Sequence, residues 1–570
     1  MRSAAVRCCV FFFTLVAARA GAAEIELLDA KPLADVVRAE LKPVAAGGKL
    51  ALPLITWGGD VATIHAQAGG AFKDEGLDVE LFVENNFPKQ VEACLSGKTP
   101  YLRGTMGMIN AAAEVFKAKG VDLTVVYQLT WSTGGDAMVV RPHIKSPLDL
   151  KNRSLALQLY GPHMDYVANV LKSAEVPLSS VRLKWLRELT LPTYDTAGKV
   201  VDPVNAFLED TSLDATMVIS PDAMNLTSGG GGGSGAAGSV KGARILLSTK
   251  TATRVIADVY AVRSDYLAKN RGSVEKLVRA LMKAQLQLSA MLERKDKTPD
   301  YQALLTRSAD LLLGTPKATP DVEGMLGDCE FAGHAGNVQF FTGQGTTRTL
   351  VNLTDEIQTA FAEMGLMRKR VPLLAANWDY GALGSALGIG GAVAAAPRFD
   401  PQKVAAKVEK QINVEPTSWA EAGTLFQIEI NFGPNQDTFP KEQYAADYQK
   451  ALSIAQTYGG SLIVIEGHAD PLGVLKARQA NESAAVLGQM EQQAKNLSLL
   501  RARAVRQSFL DHARSKGVNI DESQFISVGL GIATPKFNPP KTKEEWAANR
   551  RVLFRIKQVE AELSEFSPLK

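Results

Sequence analysis

Cysteine, histidine and net charge are all scarce in this sequence. Its 570 residues hold four cysteines and six histidines, against 63 Lys+Arg and 60 Asp+Glu. The histidines (His65, His143, His163, His334, His468, His512) are scattered, with neither a His-Glu-x-x-His pair nor a paired-cysteine spacing, so no metal site and no cofactor is expected. No Gly-x-Ser-x-Gly elbow occurs and Gly529-Leu530-Gly531 does not complete a dinucleotide fingerprint, so the chain is not expected to be an enzyme. Three of the arginines (Arg2, Arg7, Arg19) lie in a leading segment read below as removed, which leaves 60 cations against 60 anions. So even a balance gives no electrostatic case for nucleic acid or anionic lipid as a partner. Beyond the leader no stretch reaches ~18 uninterrupted, strongly apolar residues, and no membrane span is expected in the mature chain.

What is present begins with an export signal at 1–23. Arg2 and Arg7 make a positive start, Val10 to Ala18 a short apolar run, and Ala18-Arg19-Ala20 or Ala20-Gly21-Ala22 a small-residue cleavage site. Cys8 and Cys9 leave with it, so Cys94 and Cys329 remain in an oxidising compartment. A disulfide between them is the expectation, and separate buried thiols the alternative. The remaining length exceeds what one core supports, so several structural units are expected.

Within a domain expected at 24–380, the chain from Leu50 to about Tyr380 alternates short apolar runs with helical patterns, which implies mainly parallel sheets in α/β units. Their size calls for two lobes, lobe I at about 50–140 and 255–380 and lobe II at about 141–254. Ser228 to Ser239 (SGGGGGSGAAGS) reads as a flexible surface loop, without the Gly-Lys-Ser/Thr ending of a phosphate loop. A Gly/Ala-rich stretch opens a linker at 381–423, with local helix possible at Pro401 to Gln411. The last unit, 424–570, reads as a small α+β sandwich.

In open α/β sheets ligands bind where strand ends run into loops and helix starts. Here Trp57-Gly58-Gly59-Asp60, Trp131-Ser132-Thr133-Gly134-Gly135, Tyr160-Gly161-Pro162-His163 and Ser220-Pro221-Asp222 each follow a strand. Each alone is as well explained as a turn; recurring four times, they point to a cleft. The candidate solute-binding residues are Trp57, Gly58, Thr105, Trp131, Ser132, Tyr160, His163 and Asp222. Arg103, His163 and helix N-termini favour an anion there, whereas Asp136, Asp165 and Asp222 favour an amine, and the sequence does not choose.

Two resemblances add to this reading. "GGAFKDEGLDVELF" (Gly69 to Phe82), "CLSGKTPYLRGT" (Cys94 to Thr105), "GGDAMVV" (Gly134 to Val140) and "IKSPLDLKNRSLALQLYGPHMDY" (Ile144 to Tyr166) resemble the nitrate/sulfonate/taurine type of periplasmic solute-binding protein. That resemblance implies two hinged α/β lobes, a small-molecule solute held between them, and an inner-membrane ABC permease as a possible partner. "EGHADPLG" (Glu466 to Gly473), "LSLLRARAV" (Leu497 to Val505) and "NRRVLFRI" (Asn549 to Ile556) resemble, in order, the OmpA-like peptidoglycan-binding domain. It implies that Asp470 and Arg501 take the ammonium and carboxylate of diaminopimelate in the peptidoglycan stem peptide, a match of anion and forked guanidinium. Asn549 and Arg550 would shape that site. One departure is the long connection Val474 to Asn496, which would rebuild its rim.

The expected fold is thus an α/β two-lobed periplasmic-binding-protein fold followed by an α+β OmpA-like sandwich. The expected function is periplasmic solute capture with non-covalent tethering to peptidoglycan. The alternative is an envelope structural or assembly protein whose lobes bind a protein partner.

Overall fold

A computed structural model describes residues 24–44, 49–294, 298–389, 400–414, 419 and 424–557. The expected export signal and the Gly/Ala-rich 390–399 lie outside the described residues. Among the described residues no helix is long and apolar enough to cross a membrane.

Lobe I starts with β1 (Leu50–Leu54) and β2 (Val79–Val83), a parallel pair, followed by β3 (Tyr101–Thr105) and β4 (Leu123–Ser132). The chain then crosses at Thr133 to Gly135 into lobe II, which contains β5 (Asp136–Val140), β6 (Ser154–Gln158), β7 (Arg182–Leu186), β8 (Ala215–Ile219) and β9 (Arg244–Ser248). It returns through residues 249–256 to lobe I with β10 (Ala257–Arg263), β11 (Cys329–Phe331) and β12 (Leu374–Ala375). The sheet of lobe I runs β11-β4-β10-β3, with β12 on β4, and that of lobe II runs β7-β6-β8-β5-β9. β4 and β5 are buried along their whole length, as strands covered on both faces are.

Two boundaries move from the expectation. β5 pairs with β8 and β9, so lobe II begins at the Gly134-Gly135 crossover and not after Val140. Residues 24–44 belong to both lobes: Ile25 and Leu28 bridge to Val200 and Trp185 of lobe II, and the turn Leu33–Val36 packs on the lobe I helix Met106–Ala118. The expected disulfide is absent. Cys94 and Cys329 are free thiols. Cys94 lies in the last turn of the helix Phe87–Leu95 that packs on β3, whereas Cys329 opens β11 at the opposite edge. Three strand spacings of ~4.8 Å separate those edges, well beyond the ~7 Å Cα limit of a disulfide.

The C-terminal unit is a four-stranded sheet of β13 (Thr424–Asn431), β14 (Leu462–Gly467), β15 (Phe525–Gly529) and β16 (Arg551–Lys557), in the order β13-β16-β14-β15. Helices Ala445–Thr457 and Ala484–Ser515 cover one face. The other face is covered by the helix Pro401–Val414, whose Val404, Val408 and Ile412 recur every fourth residue and pack with Trp419 on Leu462, Val464, Ile526 and Val528. Much of the expected linker is therefore part of this unit. The connection Val474 to Asn496 folds as a helix, Leu472–Gln479, and the first turns of Ala484–Ser515.

The unit docks across the hinge. Arg254 N donates to Thr457 O at 3.1 Å and Gly460 N to Thr251 O at 3.0 Å. Tyr458 Oη donates to Asn169 Oδ1 of lobe II at 3.1 Å, and Asn519 N to Gly345 O at 3.0 Å on the lobe I side.

Candidate functional site

The loops after β1, β4 and β6 meet between the lobes. Trp57 lies at the end of β1; its Nε1 donates to Thr130 Oγ1 at 3.1 Å, and its ring lies over Gly135, where a Cβ would stand 2.4 Å from the ring edge. Only glycine leaves room for that ring at the crossover. Gly58 is equally confined, because a Cβ there would meet Met325 O at 2.2 Å.

From the crossover a row of polar side chains runs into lobe II. Ser132 Oγ donates to Asp136 Oδ2 at 2.6 Å, and Thr249 Oγ1 stands 2.9 Å from Ser132 Oγ. Thr249 Oγ1 also accepts from Gly134 N at 3.0 Å, which joins the two crossovers. His163 Nε2 lies 2.8 Å from Asp136 Oδ1. The next helix, Met164–Ser173, carries Asp165 in its first turn, where the helix dipole favours a carboxylate. The Asp165 carboxylate meets lobe I at Gly107, whose Cβ would stand 2.6 Å from Oδ1. Burial pushes its carboxyl up to about 7, opposed by its own backbone N–H, which lies outside hydrogen-bond geometry, and by Arg348, while the charges of Glu356 and Asp136 add to the rise.

The structure gathers Trp57, Gly58, Ser132 and His163 at this junction. Thr105 stands at the lobe I wall, where its Oγ1 caps the helix Met106–Ala118 by accepting from Met108 N at 3.2 Å. The other three lie apart. Trp131 points to the opposite face of β4, edge-on to Phe340 and under Arg254. Tyr160 adopts a left-handed φ of 58° and donates from Oη to Lys31 O at 2.7 Å, so it holds the N-terminal segment. Asp222 lies in the first turn of the helix Ser220–Leu226 near Asp202; burial pushes it up to about 6, and the Asp202 charge adds to the rise. Arg103 offers nothing to an anion. It is wholly buried and bound to Asp60 at 2.7 Å and Asp258 at 2.8 Å, and Thr130 Oγ1 donates to Asp258 at 3.0 Å.

Asp165 and Asp136, named from the sequence only as groups that favour an amine, complete the junction together with Thr130, Thr249 and Gly107, which the sequence did not single out. Asp165 carried a sequence signal, an acid just inside a helix start two residues beyond His163. Thr249 carried none, because it reaches the row only through the return crossover.

In the C-terminal unit, Asp470 follows β14 and accepts from Leu472 N at 3.0 Å; Arg550 Nη1 lies 3.5 Å from its Oδ2. This pair reaches the surface in part. Arg501, which the resemblance gives the ligand carboxylate, is buried and bound within the unit. It lies in the middle of Ala484–Ser515, 1% exposed, and donates to Gln436 O at 2.7 Å, Gly433 O at 3.0 Å and His468 O at 3.2 Å. Burial, together with the charge of Arg550, lowers it to about 10. Asn549 is buried and clamps a loop, accepting from Lys536 N and Phe537 N at 2.7 and 2.9 Å. Beside Asp470, the connection Val474 to Asn496 builds a groove of about 480 Å³ with Leu530 to Ala533. Among the described residues no group of acids, histidines and cysteines is placed to hold a metal ion.

Two α/β lobes joined by two crossovers, with strand-end residues converging between them, define a two-lobed fold of the periplasmic-binding-protein kind. Residues 61–290 match the model of the family described as NMT1/THI5 like. No curated protein sequence matches the chain. Among solved structures, the alkanesulfonate-binding protein of Xanthomonas axonopodis pv. citri bound to MOPS is 17% identical and covers 57% of this chain and 97% of its own, with a TM-score of 0.38. The periplasmic nitrate-binding protein of Synechocystis is 12% identical, covering 61% and 91%, with a TM-score of 0.41. A desulfurization enzyme is 17% identical, covering 60% and 99%, with a TM-score of 0.35.

Proposed function

We propose that this chain is a periplasmic solute-binding protein that captures a small molecule between its lobes and is held at peptidoglycan by its C-terminal unit. The observation that carries the first half is the junction of Trp57, Ser132, Asp136, His163 and Asp165, drawn from both lobes and the crossover. Buried polar groups are normally satisfied within the protein. Here His163 Nδ1 and both Asp165 oxygens have no hydrogen-bond partner among the described residues, which leaves binding capacity in the place where a solute would lie. The NMT1/THI5-like match over 61–290 supports the same reading. An ABC permease would be the partner that receives the solute. Melting the mature protein against a metabolite pool tests it, because a molecule that binds only the folded lobes must raise their stability. A pool that leaves the melt unchanged, with a protein partner captured instead, favours an envelope assembly role.

The tethering half is supported by the three OmpA-like motifs and by the Asp470–Arg550 pair. Asp470 would take the ammonium of a diaminopimelate-type stem peptide and Arg550 its carboxylate, with Arg501 and Asn549 holding the surrounding loops. Losing one charge of such a pair typically costs ~2 to 5 kcal/mol when it is buried, roughly 30-fold or more in affinity. Asp470→Ala is therefore expected to lose retention on sacculi in a pull-down while melting like the parent. Normal retention by a well-folded variant rejects the tether.

A further inference from the structure

The unpaired atoms of the cleft also carry a preference for ligand charge, an inference that rests on the solute-binding reading above. Asp136 accepts from Ser132 through one oxygen and shares its other with His163 Nε2, so Nε2 supplies the proton of that contact. The remaining ring nitrogen, Nδ1, then presents a lone pair. It belongs to a residue that is 0% exposed and has no partner among the described residues. Asp165 is 4% exposed, and neither of its oxygens has a partner there either. Three buried acceptors thus lie on two residues at the start of one helix at the lobe junction.

The cations of the surrounding walls are already engaged. Arg103 is held by Asp60 and Asp258, and Arg348 Nη1 by Glu356 at 2.8 Å. A sulfonate or nitrate entering here would set further acceptors against His163 Nδ1 and the Asp165 carboxylate, and negative charge against Asp136 and Asp165. A ligand with N–H donors and positive charge reverses both penalties, since leaving a buried acceptor unmet costs its desolvation outright. Trp57 adds an aromatic face beside the row, and ring faces attract cations.

We propose that the interlobe cleft selects an organic ammonium compound, its N–H groups directed at His163 Nδ1 and the Asp165 carboxylate, in preference to an anion. The test uses the mature full-length chain and four probes sharing one ring: benzylammonium, benzyl alcohol, benzenesulfonate and benzyltrimethylammonium. Benzylammonium is expected to give a saturable rise in melting temperature. Benzyl alcohol and benzenesulfonate are expected to give none, and benzyltrimethylammonium a weaker rise, because it has charge without N–H donors. Asp165→Asn should weaken benzylammonium at least tenfold. If that variant fails to fold, the order of the four probes on the parent protein decides alone. Stronger binding of benzenesulfonate, or equal binding of benzyl alcohol, overturns the ammonium preference and leaves the cleft a solute site. Silence of all four probes while the metabolite pool stabilises the protein overturns it too. Silence of probes and pool together counts against the solute-binding reading itself.

Discussion

Asp165 is costly to the folded protein. Its carboxyl titrates at about 7 in the fold against the ordinary 3.8, chiefly because it is buried. Between those values the folded state holds a proton that the unfolded state has released, so stability falls as pH rises from about 4 to about 7. The slope amounts to up to about 1.4 kcal/mol per pH unit for this one group. Above 7 both states are ionised and the penalty is constant. Asp165→Asn is expected to flatten that slope in urea melts at pH 5, 6 and 7, without abolishing it, because Asp60 and Asp222 are also raised, each to about 6. An unchanged slope would mean that Asp165 is solvated or paired. At this scale the sequence was informative for residues that strand ends place directly, such as Trp57, Ser132 and His163. Trp131 went astray through strand parity: side chains alternate along β4, so Thr130 and Ser132 face the junction and Trp131 the other side. No local pattern announces that parity at the end of a strand buried on both faces.

Among the elements, the strands and their α/β alternation were legible because short apolar runs are bounded by Gly, Pro, Asp and Ser. The helix Pro401–Val414 was half legible: its apolar period was present, but its surroundings read as linker, and only the docked sheet shows what it covers. The contact of β14 with the helix Ala484–Ser515 was not legible at all. A Cβ at Gly467 would lie 1.8 Å from Ser498 O, and one at Gly529 2.7 Å from Lys495 O. Two glycines on neighbouring strands thus let this helix sit directly on the sheet, which brings Arg501 to the carbonyls of Gly433, Gln436 and His468. Gly467→Ala must push strand and helix apart. Overpacking of this kind typically costs roughly 1 to 3 kcal/mol. Chemical unfolding followed by Trp419, whose Nε1 donates to Glu466 at 2.6 Å in this unit, should show that loss. Parent-like stability would contradict the close packing.

Across the whole molecule, the C-terminal unit is not a free appendage on a flexible linker. It covers the return crossover and touches both lobes, and residues of all three parts share one apolar cluster, from Leu33 and Val140 to Phe554. The residues that make this contact, Thr457, Gly460, Arg254 and Gly345, belong to no motif, which is why the domain order was readable and the docking was not. Gly460 is its tightest point, where a Cβ would stand 1.9 Å from Lys250 O. Gly460→Val is expected to lift the unit from the hinge, seen as a larger radius of gyration in small-angle scattering. An unchanged scattering curve would show that the docking does not depend on this approach.

The central claim is that a small molecule binds at the junction of Trp57, Asp136, His163 and Asp165. Isothermal titration of a stabilising compound from the metabolite pool into the parent chain and His163→Ala tests it most directly. One site per chain is expected for the parent, and affinity at least tenfold lower for the variant, since 1.4 kcal/mol is a factor of ten and a lost buried acceptor costs that much. Identical isotherms from two well-folded proteins would place the binding elsewhere and contradict the account.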